Sequence, residues 1–209
     1  MSRKPLDLHP GVKSFYIRAA RLYSDIFSPP SVYAMFSFVL ALTQLPLLTG
    51  FIHAVVFSSL TSLLPIIYIL IRMKQGQLHD IHLSQPGQRT IPYLLSAFGS
   101  LVAYIILRGF GSAPLFLDFI LTVVIGLLSL ALINTWWMIS AHTASITAIV
   151  AFTWFAFSPQ TALFISPLIV TTILARHYLR RHTLLELVSG FLLGVSIIFG
   201  AAGLGFFKG

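Results

Sequence analysis

Long apolar runs, each near the length that a bilayer demands, are the feature of this sequence that most constrains its fold. A helix needs about 20 apolar residues to cross a hydrocarbon layer about 30 Å thick. Such runs lie near residues 31–48, 51–72, 91–108, 114–137, 141–158, 160–176 and 184–206. Because the fifth and sixth runs are short, we predict an all-α polytopic transmembrane helix bundle with about six to seven spans.

The composition indicates the same class of protein. Of 209 residues, 57% are hydrophobic and 9% are charged, whereas about 25% of residues are charged in a soluble domain. A core of this size cannot bury so much apolar surface, so lipid must be part of the solvent. The net charge is +8. Basic groups beside a bilayer account for that charge, so we expect membrane lipids and no nucleic acid as partners. The absence of cysteine from the sequence excludes disulfides and thiolate metal sites.

Residues 1–30 predict an N-terminal amphipathic arm, followed by one transmembrane domain over residues 31–209. Between residues 11 and 27, one helical face would carry Val12, Phe15, Ala19, Leu22 and Ile26, and the other Lys13, Ser14, Arg18, Arg21 and Asp25. This spacing is typical of a helix on the membrane surface, with a solvated arm as the alternative. Pro29 and Pro30 are expected to break the helix before the first apolar run. The N-terminus lacks the apolar core of a secretory signal, so we expect the first span not to be cleaved.

Three polar segments interrupt the apolar runs, at residues 73–90, 138–143 and 175–186. Two predicted spans separate each segment from the next, so we expect all three segments on one side of the membrane. That side would also carry most of the basic residues, namely Arg3, Lys4, Lys13, Arg18, Arg21, Arg72, Lys74, Arg89, Arg176, Arg180 and Arg181. The positive-inside rule makes this side cytoplasmic, in a plasma membrane of the bacterial type.

The third polar segment carries the strongest indication of chemistry. His182 and Glu186 are four residues apart, so they would share one helical face. The carboxylate would accept the Nδ1–H of the imidazole and leave Nε2 able to attack a substrate. Arg176 lies six residues before His182, where its guanidinium would clamp a phosphate. The alternative is an interfacial cluster that contacts lipid headgroups, which is the interpretation we prefer for Arg180 and Arg181.

The other two segments add weaker candidates. Ser140 and His142 open a predicted helix, whose free N–H groups and dipole favour an anion, and His142 would serve as a general acid. The alternative is that Ser140 is only an N-cap and His142 an interfacial histidine. In the first segment, Arg89 would be a second phosphate clamp. His79, Asp80 and His82 are metal-ligand residue types, but their spacing is not that of a helical metal motif, so no metal site is predicted.

Three partial motifs occur in order along residues 72–206. They read His82, six residues, Arg89-Thr90; then Ile139-Ser140-Ala141-His142; then Ala175-Arg176, five residues, His182, three residues, Glu186. This pattern resembles the membrane-bound phosphatidic acid phosphatase type 2 family. Its signature has Lys, six residues and Arg-Pro; then Pro-Ser-Gly-His; then Ser-Arg, five residues, His, three residues and Asp. The sequence departs from that signature at His82, Thr90, Ile139, Ala141, Ala175 and Glu186.

The resemblance implies a metal-independent lipid phosphate phosphatase without a cofactor, acting on a lipid or polyprenyl phosphate. His182 would form a phosphohistidine, Glu186 would orient it, and His142 would protonate the departing alkoxide. The phosphoryl oxygens would be held by Arg89, Arg176, Ser140 and His82. The departures from the signature support an alternative, a catalytically inactive phosphatase-like subunit that packs or binds lipid or pigment in a larger complex. His53 would then be the pigment ligand, unless it is an ordinary buried, hydrogen-bonded histidine.

Overall fold

The computed structural model describes residues 5–6, 14–77, 83 and 87–207. Every regular element in that part of the chain is a helix, so the predicted all-α fold is confirmed. The helices are α1 (Phe15–Ile26), α2 (Pro29–Gln44), α3 (Leu47–Lys74), α4 (Thr90–Gly109), α5 (Pro114–Ile133), α6 (Ala141–Ala156), α7 (Pro159–Ile165), α8 (Pro167–Tyr178) and α9 (Leu184–Gly203).

The number of helices that can cross a membrane is lower than the number of apolar runs. Five are long and apolar enough, namely α3, α4, α5, the α7–α8 pair taken as one helix, and α9. The bent pair formed by α1 and α2 would make a sixth. Helix α6 has 16 residues, which span only about 24 Å. Seven spans are therefore not reached among the described residues, and six is the upper count.

Two prolines begin a helix where we expected them to end one. Helix α1 ends at Ile26 and α2 begins at Pro29, so the break lies at Phe27–Ser28. Pro29 and Pro30 occupy the first two positions of α2, where a backbone N–H has no intrahelical partner in any case. Pro167 begins α8 in the same way and divides the apolar run at residues 160–176.

The chain forms two compact units, one of Met1–Val32 with Ile139–Ile198 and one of Tyr33–Met138 with Phe199–Gly209. In the second unit, α4 packs against both α3 and α5. The ring of the buried Phe57 lies 5.5 Å from that of Phe119, and Thr61 is hydrogen-bonded to Ser100 over 2.9 Å. Interhelical polar contacts of this kind stabilise helix pairs in lipid, where apolar burial gives little preference.

Two further contacts of the second unit lie near the two ends of α5. The N–H of Gly87 donates to the carbonyl oxygen of Asn134 over 3.3 Å, so the first polar segment lies beside the end of α5. At the other end, a carboxylate oxygen of Asp118 accepts the Phe207 N–H over 2.9 Å.

His53 lies in α3 of the second unit, where it is buried. Its Nδ1 is 3.0 Å from the hydroxyl oxygen of Ser112. His53 is therefore buried and hydrogen-bonded, as in the alternative that we gave to a pigment ligand.

In the first unit, α1 lies against α8, and α6 lies against α7 and α8. The hydroxyl oxygen of Tyr23 is 2.7 Å from that of Thr171 and 3.0 Å from that of Thr172. The N–H of Leu6 donates to the carbonyl oxygen of Leu179 over 3.1 Å. These contacts hold the N-terminal helix beside the third polar segment.

Candidate functional site

A chain reversal after α8 brings the basic residues of the third segment together. The N–H of Arg181 donates to the carbonyl of Arg176 over 3.1 Å, and that of Arg180 to the carbonyl of His177 over 2.9 Å. These two bonds make a Schellman motif, in which glycine usually supplies the left-handed residue. Here Arg180 takes that conformation, with φ of 55°. The motif therefore holds the backbone of Arg181 against the end of α8 and places His182 directly after it.

Burial separates the two arginines that we expected to contact headgroups. Arg180 is exposed, in keeping with that interpretation, whereas Arg181 is only 7% exposed. The headgroup interpretation is therefore wrong for Arg181, because the reversal turns its side chain inward. Arg176, in the last turn of α8, is 2% exposed. Two buried guanidinium groups thus stand within one short segment, next to a histidine.

A capping box begins α9 and fixes His182. The Thr183 N–H donates to Oε2 of Glu186 over 2.9 Å, and the Glu186 N–H donates to the Thr183 hydroxyl oxygen over 3.3 Å. Nδ1 of His182 lies 3.1 Å from the same Oε2. The predicted partner of His182 is therefore in contact with it, but the geometry differs from our expectation. His182 precedes the helix, so the two side chains meet across the cap and not along a helical face.

This contact determines which nitrogen of His182 carries a proton. An ionised carboxylate only accepts hydrogen bonds, so Nδ1 is a protonated nitrogen, and in the neutral imidazole Nε2 then carries the lone pair. The His182 side chain is 0% exposed. The segment from Arg176 to Glu186 therefore combines an imidazole, an orienting carboxylate and two buried guanidinium groups, which are groups that bind oxyanions.

Ser140 is the N-cap of α6. Its hydroxyl oxygen accepts the Thr143 N–H over 3.3 Å and the Thr143 hydroxyl over 3.0 Å. Its own N–H donates to the Glu186 carbonyl over 3.1 Å, which joins the second polar segment to the third. The capping role that we gave as the alternative is thus present in the structure, and the side chain is fully buried.

Two glycines that we did not predict as part of the site allow this junction. A Cβ on Gly190 would lie 2.5 Å from the Ser140 carbonyl oxygen, and one on Gly194 would lie 2.5 Å from that of Ala144. The close approach of α9 to α6 therefore requires glycine at both positions. Small residues four apart are a known packing motif of membrane helices, and this spacing is visible in the sequence.

His142 is the second residue of α6 and is half-buried. Its Nε2 lies 3.1 Å from the backbone carbonyl oxygen of Ser24, in the last turn of α1. A carbonyl oxygen only accepts hydrogen bonds, so Nε2 of His142 carries a proton. If this histidine serves as a general acid while that contact persists, the transferred proton must come from Nδ1.

Arg89 and His82 are the remaining predicted site residues. Ser140, His142, Arg176, His182 and Glu186 all belong to the first unit, whereas Arg89 belongs to the second. Arg89 is buried at the start of α4, and its Nε donates to the Leu83 carbonyl over 2.8 Å. His79, Asp80 and His82 lie outside the described residues.

No family model, no curated protein and no solved structure matches this chain. The resemblance to the phosphatidic acid phosphatase type 2 family therefore stays a prediction from the three partial motifs.

Proposed function

We propose that this multi-pass membrane protein is a metal-independent lipid phosphate phosphatase. It would hydrolyse a phosphomonoester or diphosphate of a lipid or polyprenyl alcohol through a phosphohistidine. The observation that carries this proposal is the pair formed by His182 and Glu186, with 3.1 Å between Nδ1 and Oε2. The buried guanidinium of Arg176 in the same segment supports it.

The proposed reaction has two displacements at phosphorus. In the first, the lone pair on Nε2 of His182 forms a P–N bond while the P–O bond to the lipid alcohol breaks. His142 gives a proton to the departing alkoxide, and Glu186 stabilises the positive imidazole. In the second, water attacks phosphorus, its proton returns to His142, and the P–N bond breaks to release inorganic phosphate. The guanidinium group of Arg176, with the helix-start amides near Ser140, would balance the charge on the phosphoryl oxygens.

The site would face the cytoplasm of a bacterial-type plasma membrane. This part of the proposal rests on the excess of basic residues near the three polar segments. The lipid tail would lie beside the apolar helices. The phosphate would contact the polar segments, which lie at the ends of those helices.

Phosphate release from purified protein in nanodiscs tests the proposal directly. A diacylglycerol phosphate and a prenyl diphosphate, each assayed with a metal chelator, should release inorganic phosphate. We expect His182→Ala to lower the rate at least about a thousandfold, since it removes the nucleophile. The matched control is His177→Ala, because His177 is exposed in the same segment and should be dispensable. Absence of release from folded protein with every substrate would overturn the proposal.

A second candidate function is a catalytically inactive phosphatase-like subunit of a larger membrane complex, binding lipid or pigment. Two observations favour it. Nε2 of His142 is bonded to a backbone carbonyl, as in a structural histidine, and the His182 side chain is fully enclosed. Under this alternative, a stable partner would copurify with the protein, and His142→Ala would leave any residual phosphate release unchanged.

A further inference from the structure

Helix α1 has an apolar stripe that faces away from the rest of its unit. Phe15, Leu22 and Ile26 lie along one side of the helix and are 71%, 61% and 48% exposed. Ser24, on the opposite side, is buried, and Tyr23 beside it is half-buried against α8. The stripe is therefore separate from the surface that holds α1 to the protein.

The charges of α1 indicate what covers this stripe. Arg18, Arg21 and Asp25 are exposed on one flank of it, with 4.0 Å between Nε of Arg21 and a carboxylate oxygen of Asp25, so this flank keeps an excess of one positive charge. An apolar stripe beside exposed cations is the pattern of a helix that lies in an anionic lipid surface. Helix α1 is also followed, after only Phe27 and Ser28, by the apolar helix α2. An anionic lipid surface is therefore the occupant that its chemistry fits.

The opposite side of α1 holds the candidate general acid. The Ser24 carbonyl belongs to the last turn of α1, where carbonyl groups lack intrahelical N–H partners. Nε2 of His142 donates to it over 3.1 Å. Hydrogen bonds between the Tyr23 hydroxyl and those of Thr171 and Thr172 fix the same turn of α1 against α8. The position of α1 therefore sets both the orientation of His142 and the nitrogen that carries its proton.

We propose that α1 binds an anionic lipid surface through its apolar stripe, and that this binding positions His142 through the Ser24 carbonyl. Lipid binding by α1 stands on the geometry of α1 alone. The catalytic consequence rests on the proposed phosphatase function. If that function holds, turnover depends on the charge of the surrounding bilayer, because lipid binding adds to the Tyr23 contacts that hold α1, and with it the imidazole, in place.

The test compares nanodiscs of phosphatidylcholine with nanodiscs of phosphatidylcholine and phosphatidylglycerol in equal parts. Two readouts need no enzyme activity: deuterium exchange of the α1 amides and exchange of the imidazole C2 proton of His142, both by mass spectrometry. We expect both exchange rates to fall several-fold in the anionic discs. Leu22→Ser and Ile26→Ser should abolish this difference. The matched control is Phe164→Ser, which removes an exposed aromatic side chain from α7 and should leave the difference intact.

Kinetics then separate positioning from folding. Tyr23→Phe removes the hydrogen bonds to α8, so we expect kcat in anionic discs to fall about tenfold with little change in KM. Equal exchange rates in both lipid compositions would overturn the lipid-binding proposal even if phosphate is released. Lipid-dependent exchange without any phosphate release would support it while refuting the proposed phosphatase function.

Discussion

Gly190→Ala tests the junction between α6 and α9 on which the arrangement of the site depends. The new Cβ would lie 2.5 Å from the Ser140 carbonyl oxygen and 3.3 Å from Cβ of Thr143. An unstrained contact needs about 3.5 Å, so one of the two helices must move by about 1 Å. The Ser140 carbonyl cannot simply tilt away, because it accepts the Ala144 N–H over 3.0 Å as the first bond of α6.

The size of the effect follows from three terms. Over-packing of this kind costs about 1–3 kcal/mol. Moving α9 away also breaks the bond from the Ser140 N–H to the Glu186 carbonyl, one turn before Gly190, for about 1 kcal/mol. The better helix propensity of alanine offsets about 1 kcal/mol of this loss of stability. We therefore expect a net loss of about 1–3 kcal/mol in the free energy of unfolding.

The matched control is Gly200→Ala in the same helix, where a Cβ would meet nothing within 4 Å. Only the propensity term applies there, so this variant should be stabilised by about 1 kcal/mol. Unfolding in mixed micelles with increasing dodecyl sulfate, followed by the fluorescence of the three tryptophans, measures both variants. Equal stability of the two variants would mean that α9 does not approach α6 as closely as the structure shows.

Three other substitutions address the chain reversal and the cap. Thr183→Ala removes the hydroxyl that caps α9, so the free energy of unfolding should fall by about 1 kcal/mol. Thr183→Ser keeps the hydroxyl and should keep the stability. An unchanged free energy of unfolding for the alanine variant would exclude the capping role. Arg180→Gly removes the Cβ that disfavours the left-handed conformation, so it should raise the free energy of unfolding by about 0.5–1 kcal/mol. Arg180→Val should lower that free energy, and the unfolding assay in mixed micelles measures both variants. Arg181→Ala should lower phosphate release by about 10–100-fold, because it removes a buried guanidinium that could form a charge-assisted hydrogen bond with the substrate. Arg180→Ala should change the rate less than about twofold, since Arg180 is exposed. Equal effects of the two substitutions on phosphate release would contradict different roles for the buried and the exposed arginine.

Most of the helices could be predicted from the sequence because lipid imposes a length and a composition on each span. That constraint predicts where apolar runs lie, but it does not define how each helix begins. Pro29 and Pro167 illustrate the difference, since proline both ends one helix and suits the first turn of the next. The run at residues 141–158 is short for a span, and the helix within it ends at Ala156.

The site was predictable where its contacts are local in sequence. The spacing of His182 and Glu186 predicted their contact, and the Thr183-x-x-Glu186 pattern of a capping box was also visible. The burial of Arg181 was not predictable in the same way. A glycine after α8 would have indicated the reversal, but the position is occupied by Arg180 in a left-handed conformation.

Contacts between distant segments lie beyond what periodicity can predict. His142 and Ser24 are 118 residues apart in sequence. The amphipathic pattern of α1 identified the stripe that faces away from the protein, because apolar spacing is a property of the helix alone. It could not identify which carbonyl on the other side would meet the imidazole, since that depends on how α1 packs within its unit.

The cap of α9 gives a physical reason for the spacing between the histidine and the carboxylate. His182 precedes the capping residue Thr183, and Glu186 is the third residue of the helix, the position whose side chain reaches back in a capping box. A carboxylate that accepts the Thr183 N–H is thereby brought to the side chain just before the cap. Glutamate is the usual residue at this position, so the extra methylene of Glu186, relative to the aspartate of the phosphatase signature, suits the reach to Thr183. Oε2 of Glu186 thus accepts the Thr183 N–H at the start of α9 and also contacts Nδ1 of His182. The local fold and the proposed chemistry therefore depend on the same oxygen atom.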